Sequence, residues 1–251
     1  MTISLTSEPL DAIVLCGGPG TRLGALTAAT PKPLLPVGGS PFLLRRLMAM
    51  RREGVGRIIL AVQYLASRFH EFLRDYADCL PNVTLVEEHS PVGTGGALRH
   101  AATHVESTRC VALNGDSWIA QPLAPVITQH VQTGGTFTMV VVQASRVEGG
   151  VRHKGLVSLG PRDAMLGFTT GDGTDDGWVN AGCYVLNTDL ALGWPEGRYD
   201  LESRVLSLVP AGQGYTFRSN ESLLDIGTPD CYERANRAFA SSEPLNIGSV
   251  H

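Results

Sequence analysis

A short apolar run, Ala12-Ile13-Val14-Leu15, opens directly into Cys16-Gly17-Gly18-Pro19-Gly20-Thr21-Arg22-Leu23, and Pro31-Lys32-Pro33 follows. The run predicts a buried strand, so the glycines form a turn at its C-terminal end. Without Cβ atoms, backbone N–H groups can crowd around an anion. Arg22 adds a planar, permanently charged fork. Lys32 stands between two prolines that nearly fix its backbone. A rigid, cationic, amide-lined loop suits a triphosphate. A P-loop is excluded, because Gly20 is followed by Thr21-Arg22 rather than Lys-Ser/Thr. A dinucleotide fingerprint is excluded too. Leu23 occupies the place of its third small residue, and the run Ile58-Ile59-Leu60-Ala61-Val62-Gln63 ends without an acid.

The N-terminal half alternates strands with amphipathic helices. Strands are predicted at 12–15, 57–62, 83–87 and 110–113, and helices at 41–53, 66–77 and 94–105. Alternation of this kind implies βαβ units and a Rossmann-like α/β fold, a mostly parallel mixed sheet flanked by helices. Ligands in such sheets bind beyond the C-terminal strand ends. The glycine loop, the segment 90–96 and Asn114-Gly115-Asp116 all fall there. The second half reads as a smaller β-rich part, with strands at 136–142, 155–159, 165–168 and 178–186 and helices at 201–209 and 229–240. The polar loop 171–177 is expected to be mobile and to cover an acceptor. Its spacing does not match an EF-hand. One domain, 11–240, is expected, with an extension at 1–10 and a fraying tail at 241–251.

A chain of 251 residues is long enough for one full core. Apolar content of 43% and charged content of 18% argue against disorder. No apolar stretch approaches a membrane span, and residues 1–8 carry no basic region ahead of an apolar core, which predicts a cytoplasmic protein. A net charge of −4 argues against a general nucleic-acid binder. Cys16, Cys79, Cys110, Cys183 and Cys231 have no metal-finger spacing, and no His-x-x-x-His pair carries an acid, so zinc is not expected. Lys32 and Lys154 are the only lysines, and one of them sits inside the phosphate motif.

Gly17-Gly18-Pro19-Gly20-Thr21-Arg22-Leu23 with Pro31-Lys32-Pro33 resembles the signature of the sugar-1-phosphate nucleotidyltransferases, Gly-Gly-x-Gly-Thr-Arg-Leu and Pro-Lys-Pro. The resemblance runs from Asp11 to about Phe239. It implies a reaction in which a sugar 1-phosphate oxygen attacks the α-phosphorus of a nucleoside triphosphate and pyrophosphate leaves. It implies nucleotide contacts at Leu15, Gly17, Gly18, Gly20, Thr21, Arg22, Lys32, Gly93, Thr94 and Asp116. Arg22, Lys32 and Asp116 are the catalytic set. The expected cofactor is Mg²⁺, held by Asp116 after the strand 110–113 and by Asp225 in Asp225-Ile226-Gly227-Thr228-Pro229, which resembles the family's late Asp-x-Gly-Thr-Pro. For each aspartate the structural alternative is a cap or turn residue. Thr228 is itself a plausible cap for the helix at Pro229.

Glu87-Glu88-His89-Ser90-Pro91-Val92-Gly93-Thr94-Gly95-Gly96 is the second motif. Its glycines admit a flat base close to the backbone, and Thr94 is expected to cap the following helix. It resembles the guanylyltransferase branch that activates D-glycero-D-manno-heptose 1-phosphate. A carboxylate can accept both N1–H and the 2-amino group of guanine, so Glu88 is the expected base reader. On the acceptor side, Asn180 in Asn180-Ala181-Gly182-Cys183-Tyr184 and Glu202 in Asp200-Leu201-Glu202 resemble family sugar contacts. One departure stands out: relatives carry Glu-Lys after the strand equivalent to 165–168, and here the chain reads Thr169-Thr170. Lys154, in His153-Lys154-Gly155, is the expected substitute from a neighbouring strand, with a surface lysine as the alternative, and Gly155 is an expected sugar contact. The expected partners are GTP and a heptose 1-phosphate, with no nucleic acid and no membrane; a homodimer is left open. The alternatives are mannose 1-phosphate with GTP, a hexose 1-phosphate with UTP, and a non-catalytic nucleotide-sugar sensor.

Overall fold

A computed structural model describes residues 10–151, 155–169 and 176–240. The first strand, β1 (Leu10–Leu15), leads through two 3₁₀ turns (Thr21–Thr27 and Lys32–Leu34) to the hairpin β2 (Pro36–Val37) and β3 (Ser40–Pro41). Then come α1 (Phe42–Arg52), β4 (Val55–Val62), α2 (Ala66–Asp75), β5 (Val83–Glu87), α3 (Gly93–Ala102) and β6 (Arg109–Asn114). The middle of the chain forms β7 (Ser117–Ile119), α4 (Leu123–Thr133), β8 (Phe137–Gln143), β9 (Leu156–Leu159), β10 (Met165–Thr169) and β11 (Trp178–Asn187). It closes with α5 (Thr188–Leu192), α6 (Leu201–Leu208), β12 (Gly214–Ser219), β13 (Leu223–Asp225) and α7 (Pro229–Ala240).

The βαβ alternation produces the mixed, mostly parallel sheet that the sequence predicts. β5, β4, β1 and β6 lie side by side in parallel. β11 joins antiparallel to β6, and its other edge carries β8, on which β12 lies parallel. The β-rich half therefore continues the same sheet. β9 and β10 attach to the first residues of β11, on the edge that β6 occupies further along. The chain runs outward from β1 through β4 to β5 on one side and continues at β6 on the other. This reversal opens a crevice past the C-terminal ends of β1 and β6, where Leu15 pairs with Asn114.

Alternation along the strands gives the sheet two apolar faces. Ala12 and Val14 point to the side covered by α1, α2 and α4, where Leu43, Leu47, Phe69 and Val126 are buried. Ile13 and Ala61 point to the side covered by α3 and α6, where Leu98 and Leu201 are buried. A small third core ties α7 to the rest. The rings of Phe42, Trp118 and Phe239 meet edge to face at 5.3–6.5 Å there. Thr228 caps α7, its hydroxyl accepting from Cys231 N at 3.3 Å.

Several elements escape the sequence reading. Pro125 hides α4, but it lies in the first turn, where a helix does not use the missing N–H. β7 and β13 are three residues each, too short to show a period, and they exist because they pair with one another. Most of the loop 171–177 lies outside the described residues, as do Lys154, residues 1–9 and the tail after 240. Among the described residues no helix is long and apolar enough to cross a membrane.

Candidate active site

The crevice is built from the two strand ends outward. Gly115 N donates to Leu15 O at 2.9 Å, which fastens the turn after β6 to the end of β1. A Cβ on Gly115 would lie 2.7 Å from Cys16 Sγ and 2.8 Å from Leu15 O, so only glycine permits this approach. Asp116 is thereby carried to the glycine loop. Lys32, at the start of its 3₁₀ turn and 9% exposed, pairs there with Asp116 Oδ2. Ser117 Oγ donates to Asp116 Oδ1 at 3.2 Å.

β13 runs antiparallel to β7, with Asp225 opposite Ser117 and Ile226 N donating to Asp116 O at 3.1 Å. Asp225, far from Asp116 in sequence, thus ends β13 beside the turn that carries Asp116. Gly227 N donates to Asp225 Oδ1 at 2.8 Å. The Arg22 guanidinium reaches the same place, with Nη2 3.4 Å and Asp225 Oδ1 3.2 Å from the Cβ position of Gly227.

A cavity of about 850 Å³ opens beside this cluster. Of the residues singled out from the sequence, Leu15, Gly17, Gly18, Lys32, Glu88, Gly93, Thr94 and Asp116 form its wall. Gly20, Thr21 and Arg22 stand outside that wall, Gly20 against the Lys32 side chain and Arg22 on the Asp225 side. In the same wall Glu88 is half-buried, with its Oε1 3.4 Å from the Cβ position of Gly17. Its Oε2 accepts from Val92 N at 3.4 Å, and its Oε1 is buried without a hydrogen-bond partner. Loss of water pushes the Glu88 carboxyl above the usual carboxylate range, against a smaller opposing pull from the Val92 amide. Gln63 and Asn114 also line the cavity, and Asn114 Oδ1 is a second buried acceptor without a partner. Both signals were present in the sequence as polar residues ending apolar strands.

The acceptor side differs from expectation. α3 begins at Gly93, one residue before the predicted start, so Thr94 sits inside its first turn and does not cap it. Its hydroxyl instead accepts from Leu201 N at 2.9 Å and donates to Glu202 Oε2 at 2.6 Å, joining α3 to α6. Asn180 stands outside the cavity wall. Its amide donates to Tyr184 Oη at 2.7 Å and accepts from Gly182 N at 2.9 Å, which stabilises the irregular stretch of β11. Gly155 packs beneath the Phe168 ring, and Glu202 faces Thr94. Lys154 lies outside the described residues.

The wall is completed by Asp200, from the Asp200-Leu201-Glu202 motif, and by Arg198, Tyr199 and Ser203, which the sequence does not single out. Tyr199 O accepts from Gly95 N at 3.1 Å, and its ring lies so close to Gly95 that a Cβ would come within 2.2 Å of it. Arg198 is exposed and forms no ion pair with any described carboxylate. It is a second cation of the wall, beside Lys32. Cys16 also lines the cavity, but burial drives its thiol far above the ordinary range, and Cys110 and Cys183 are pushed up to about 12. These cysteines act as small buried apolar groups.

The arrangement sets cations and carboxylates beside a cavity whose wall also holds an unpartnered acceptor, Glu88. Comparisons with known proteins give the family. A family model described as Nucleotidyl transferase matches residues 11–242. Mannose-1-phosphate guanylyltransferase of Mycobacterium tuberculosis is 30% identical, over 96% of this chain and 68% of that protein. D-glycero-alpha-D-manno-heptose 1-phosphate guanylyltransferase of Aneurinibacillus thermoaerophilus is 25% identical, over 91% of this chain and 97% of that protein. The crystal structure of HddC from Yersinia pseudotuberculosis complexed with GMP-PN superposes with a TM-score of 0.80 at 25% identity, covering 92% of this chain and 99% of that one. From the glycine loop to the last helix, the chain belongs to the nucleotidyl transferase family.

Proposed function

We propose that this enzyme joins GTP to a sugar 1-phosphate, with D-glycero-alpha-D-manno-heptose 1-phosphate as the preferred acceptor, giving a GDP-sugar and pyrophosphate. The observation that carries the guanine assignment is the unpartnered Glu88 Oε1 in the cavity wall. A buried carboxylate oxygen without a donor is costly unless a ligand supplies one. Guanine supplies two, N1–H and the 2-amino group, whereas uracil offers no such pair. The heptose assignment rests on length: the heptose-named relative is matched over 97% of its length, against 68% for the mannose-named one. Mannose 1-phosphate is the second reading, supported by the higher identity of 30%.

An ionised oxygen of the acceptor phosphate attacks the α-phosphorus; that P–O bond forms as the bond to pyrophosphate breaks. The attacking phosphate is already ionised at neutral pH, so no side chain has to remove a proton. The barrier is the meeting of two anions, and the protein lowers it by positioning and charge. Lys32 meets the α-phosphate region, Arg22 the departing phosphates, and Arg198 the acceptor phosphate in place of the absent family lysine. Magnesium fits the donor set. Among the described residues no group of three metal-type side chains forms, and a hard cation that keeps waters and phosphate oxygens needs only one or two carboxylates from the protein. Asp116 and Asp225 would hold it, and when bound it would offset charge on the phosphate oxygens.

The direct test is a matrix of nucleoside triphosphates against sugar 1-phosphates, scored for pyrophosphate with Mg²⁺ and with EDTA. GTP with the heptose 1-phosphate is expected to give the highest kcat/KM, and EDTA to abolish it. Release that depends on no acceptor, or none with any pair, overturns the reading. Lys32→Ala is expected to lower kcat by about 10²–10³, roughly 3 kcal/mol, with little change in KM for GTP; normal turnover would remove Lys32 from the chemistry. Glu88→Gln is expected to shrink the GTP-over-UTP preference at least tenfold. Only the ionised Glu88 carboxyl accepts both donors, and its pKa is raised. KM for GTP in the wild type should therefore rise as pH falls through that raised pKa, a limb the glutamine variant should lack. Arg198→Ala is expected to raise KM for the sugar 1-phosphate about tenfold or more while leaving KM for GTP in place; the converse pattern would assign Arg198 to the nucleotide.

A further inference from the structure

A second cavity, of about 190 Å³, lies on the α1 side of the sheet and shares no wall residue with the first. Arg46, Ala49 and Glu53 of the α1 segment, Trp118 of β7 and Leu123 of α4 surround it, with Leu113 and Cys183 from paired strands also in the wall. Arg46 is 4% exposed. Its neighbour Arg45 is nearly as buried, at 6%, but is satisfied, with Nε donating to Val37 O at 3.1 Å and Nη2 to Gly38 O at 2.7 Å. Arg46 has no such acceptor. Its Nε is buried without a hydrogen-bond partner, no described carboxylate forms an ion pair with it, and its guanidinium lies 5.2 Å from the centre of the Trp118 ring. Burial lowers its pKa to about 10, so it remains charged at neutral pH. The Asp116 and Glu53 carboxylates act on it only from a distance, and a buried cation with an Nε that meets no acceptor favours an anion in contact with it.

Glu53 does not supply that charge by contact. Its Oε2 accepts from Leu123 N at 2.5 Å and is committed to the N-terminus of α4. Its second oxygen makes no hydrogen bond to a described group and is not among the buried unpartnered atoms. An occupant that bridges the two side chains would offer acceptors to Arg46 and, because a bare anionic oxygen is repelled by a carboxylate, a hydroxyl to Glu53. A carboxylate lacks the hydroxyl, and a hydrogen phosphate has both. The volume equals roughly six waters at about 30 Å³ each, enough for one partly hydrated tetrahedral oxyanion. It falls below the about 300 Å³ at which drug-sized ligand pockets begin.

We infer that this cavity is a binding site for inorganic phosphate, held between the Arg46 guanidinium and the Glu53 carboxylate and walled by β6 and β7, the strands on either side of the Asp116 turn. The site does not depend on the nucleotidyl-transfer reading. The test is thermal unfolding of the full chain in phosphate against chloride at matched ionic strength, for the wild type and for Arg46→Met, Ala49→Leu and Lys32→Ala. Ala49→Leu fills the cavity and keeps the arginine, so it decides the matter if Arg46→Met does not fold. Phosphate well above its Kd is expected to raise Tm by roughly 5 °C in the wild type and in Lys32→Ala. No rise is expected in Arg46→Met or Ala49→Leu. A rise lost in Lys32→Ala would assign the phosphate to the larger cavity, and a rise kept in both cavity variants would make it non-specific. No rise in the wild type would mean that water alone fills the space. Each of these three results overturns the inference.

Discussion

The contact between Lys32 and Asp116 organises this molecule's chemistry. Each residue belongs to a segment that leaves a strand end, and the two strands are neighbours in the sheet. A site for anions needs concentrated positive charge, yet an uncompensated lysine that is 9% exposed would be costly. Pairing it with an aspartate removes that cost and holds the ammonium in the cavity wall. Gly115 makes the pairing possible by letting one backbone pass against the other. β13 then adds a second carboxylate beside the first, and the Arg22 guanidinium comes to the same edge. Alternating charges in this way assembles a strongly ionic site without leaving like charges in contact.

The far wall follows a different logic. The segment Arg198 to Asp200 is bound to α3 through backbone and side chain alike: Tyr199 N donates to Val92 O at 2.9 Å, Gly95 N returns a bond to Tyr199 O, and Thr94 bridges to Leu201 and Glu202. The loop that holds Glu88 and the segment that presents Arg198 therefore form one hydrogen-bonded unit. The glycines of the second motif serve this packing directly, because Gly95 gives its side-chain volume to the Tyr199 ring.

Legibility of the site followed range in sequence. The glycine loop and the Asp116 turn were readable because each is a local break between a periodic apolar run and the next element. Glu88 is legible because it belongs to a glycine-rich motif directly after a strand. Asn114 is legible with the Asp116 turn, whereas Gln63, which follows β4, shows in the sequence only as the absence of an acid. Arg198, Tyr199 and Ser203 have no periodic neighbour to mark them. Asn180 and Gly155 carry a structural part that the sequence does not show: the Asn180 side chain holds the irregular stretch of β11, and Gly155 O accepts from Asn180 N.

What the amino-acid order determined by itself was the alternation of strands and helices, the rigid cationic turn after the first strand, and the polar residues at the C-terminal strand ends. These are properties of a few consecutive residues, set by backbone freedom and apolar period. Tertiary structure alone decided that Asp225 stands beside Asp116, that Thr94 reaches Glu202, and that Arg46 meets no acceptor while Arg45 meets two. Those outcomes depend on which distant segments share an edge, and burial, which gives each polar group its energetic weight, exists only once the sheet has closed its two faces.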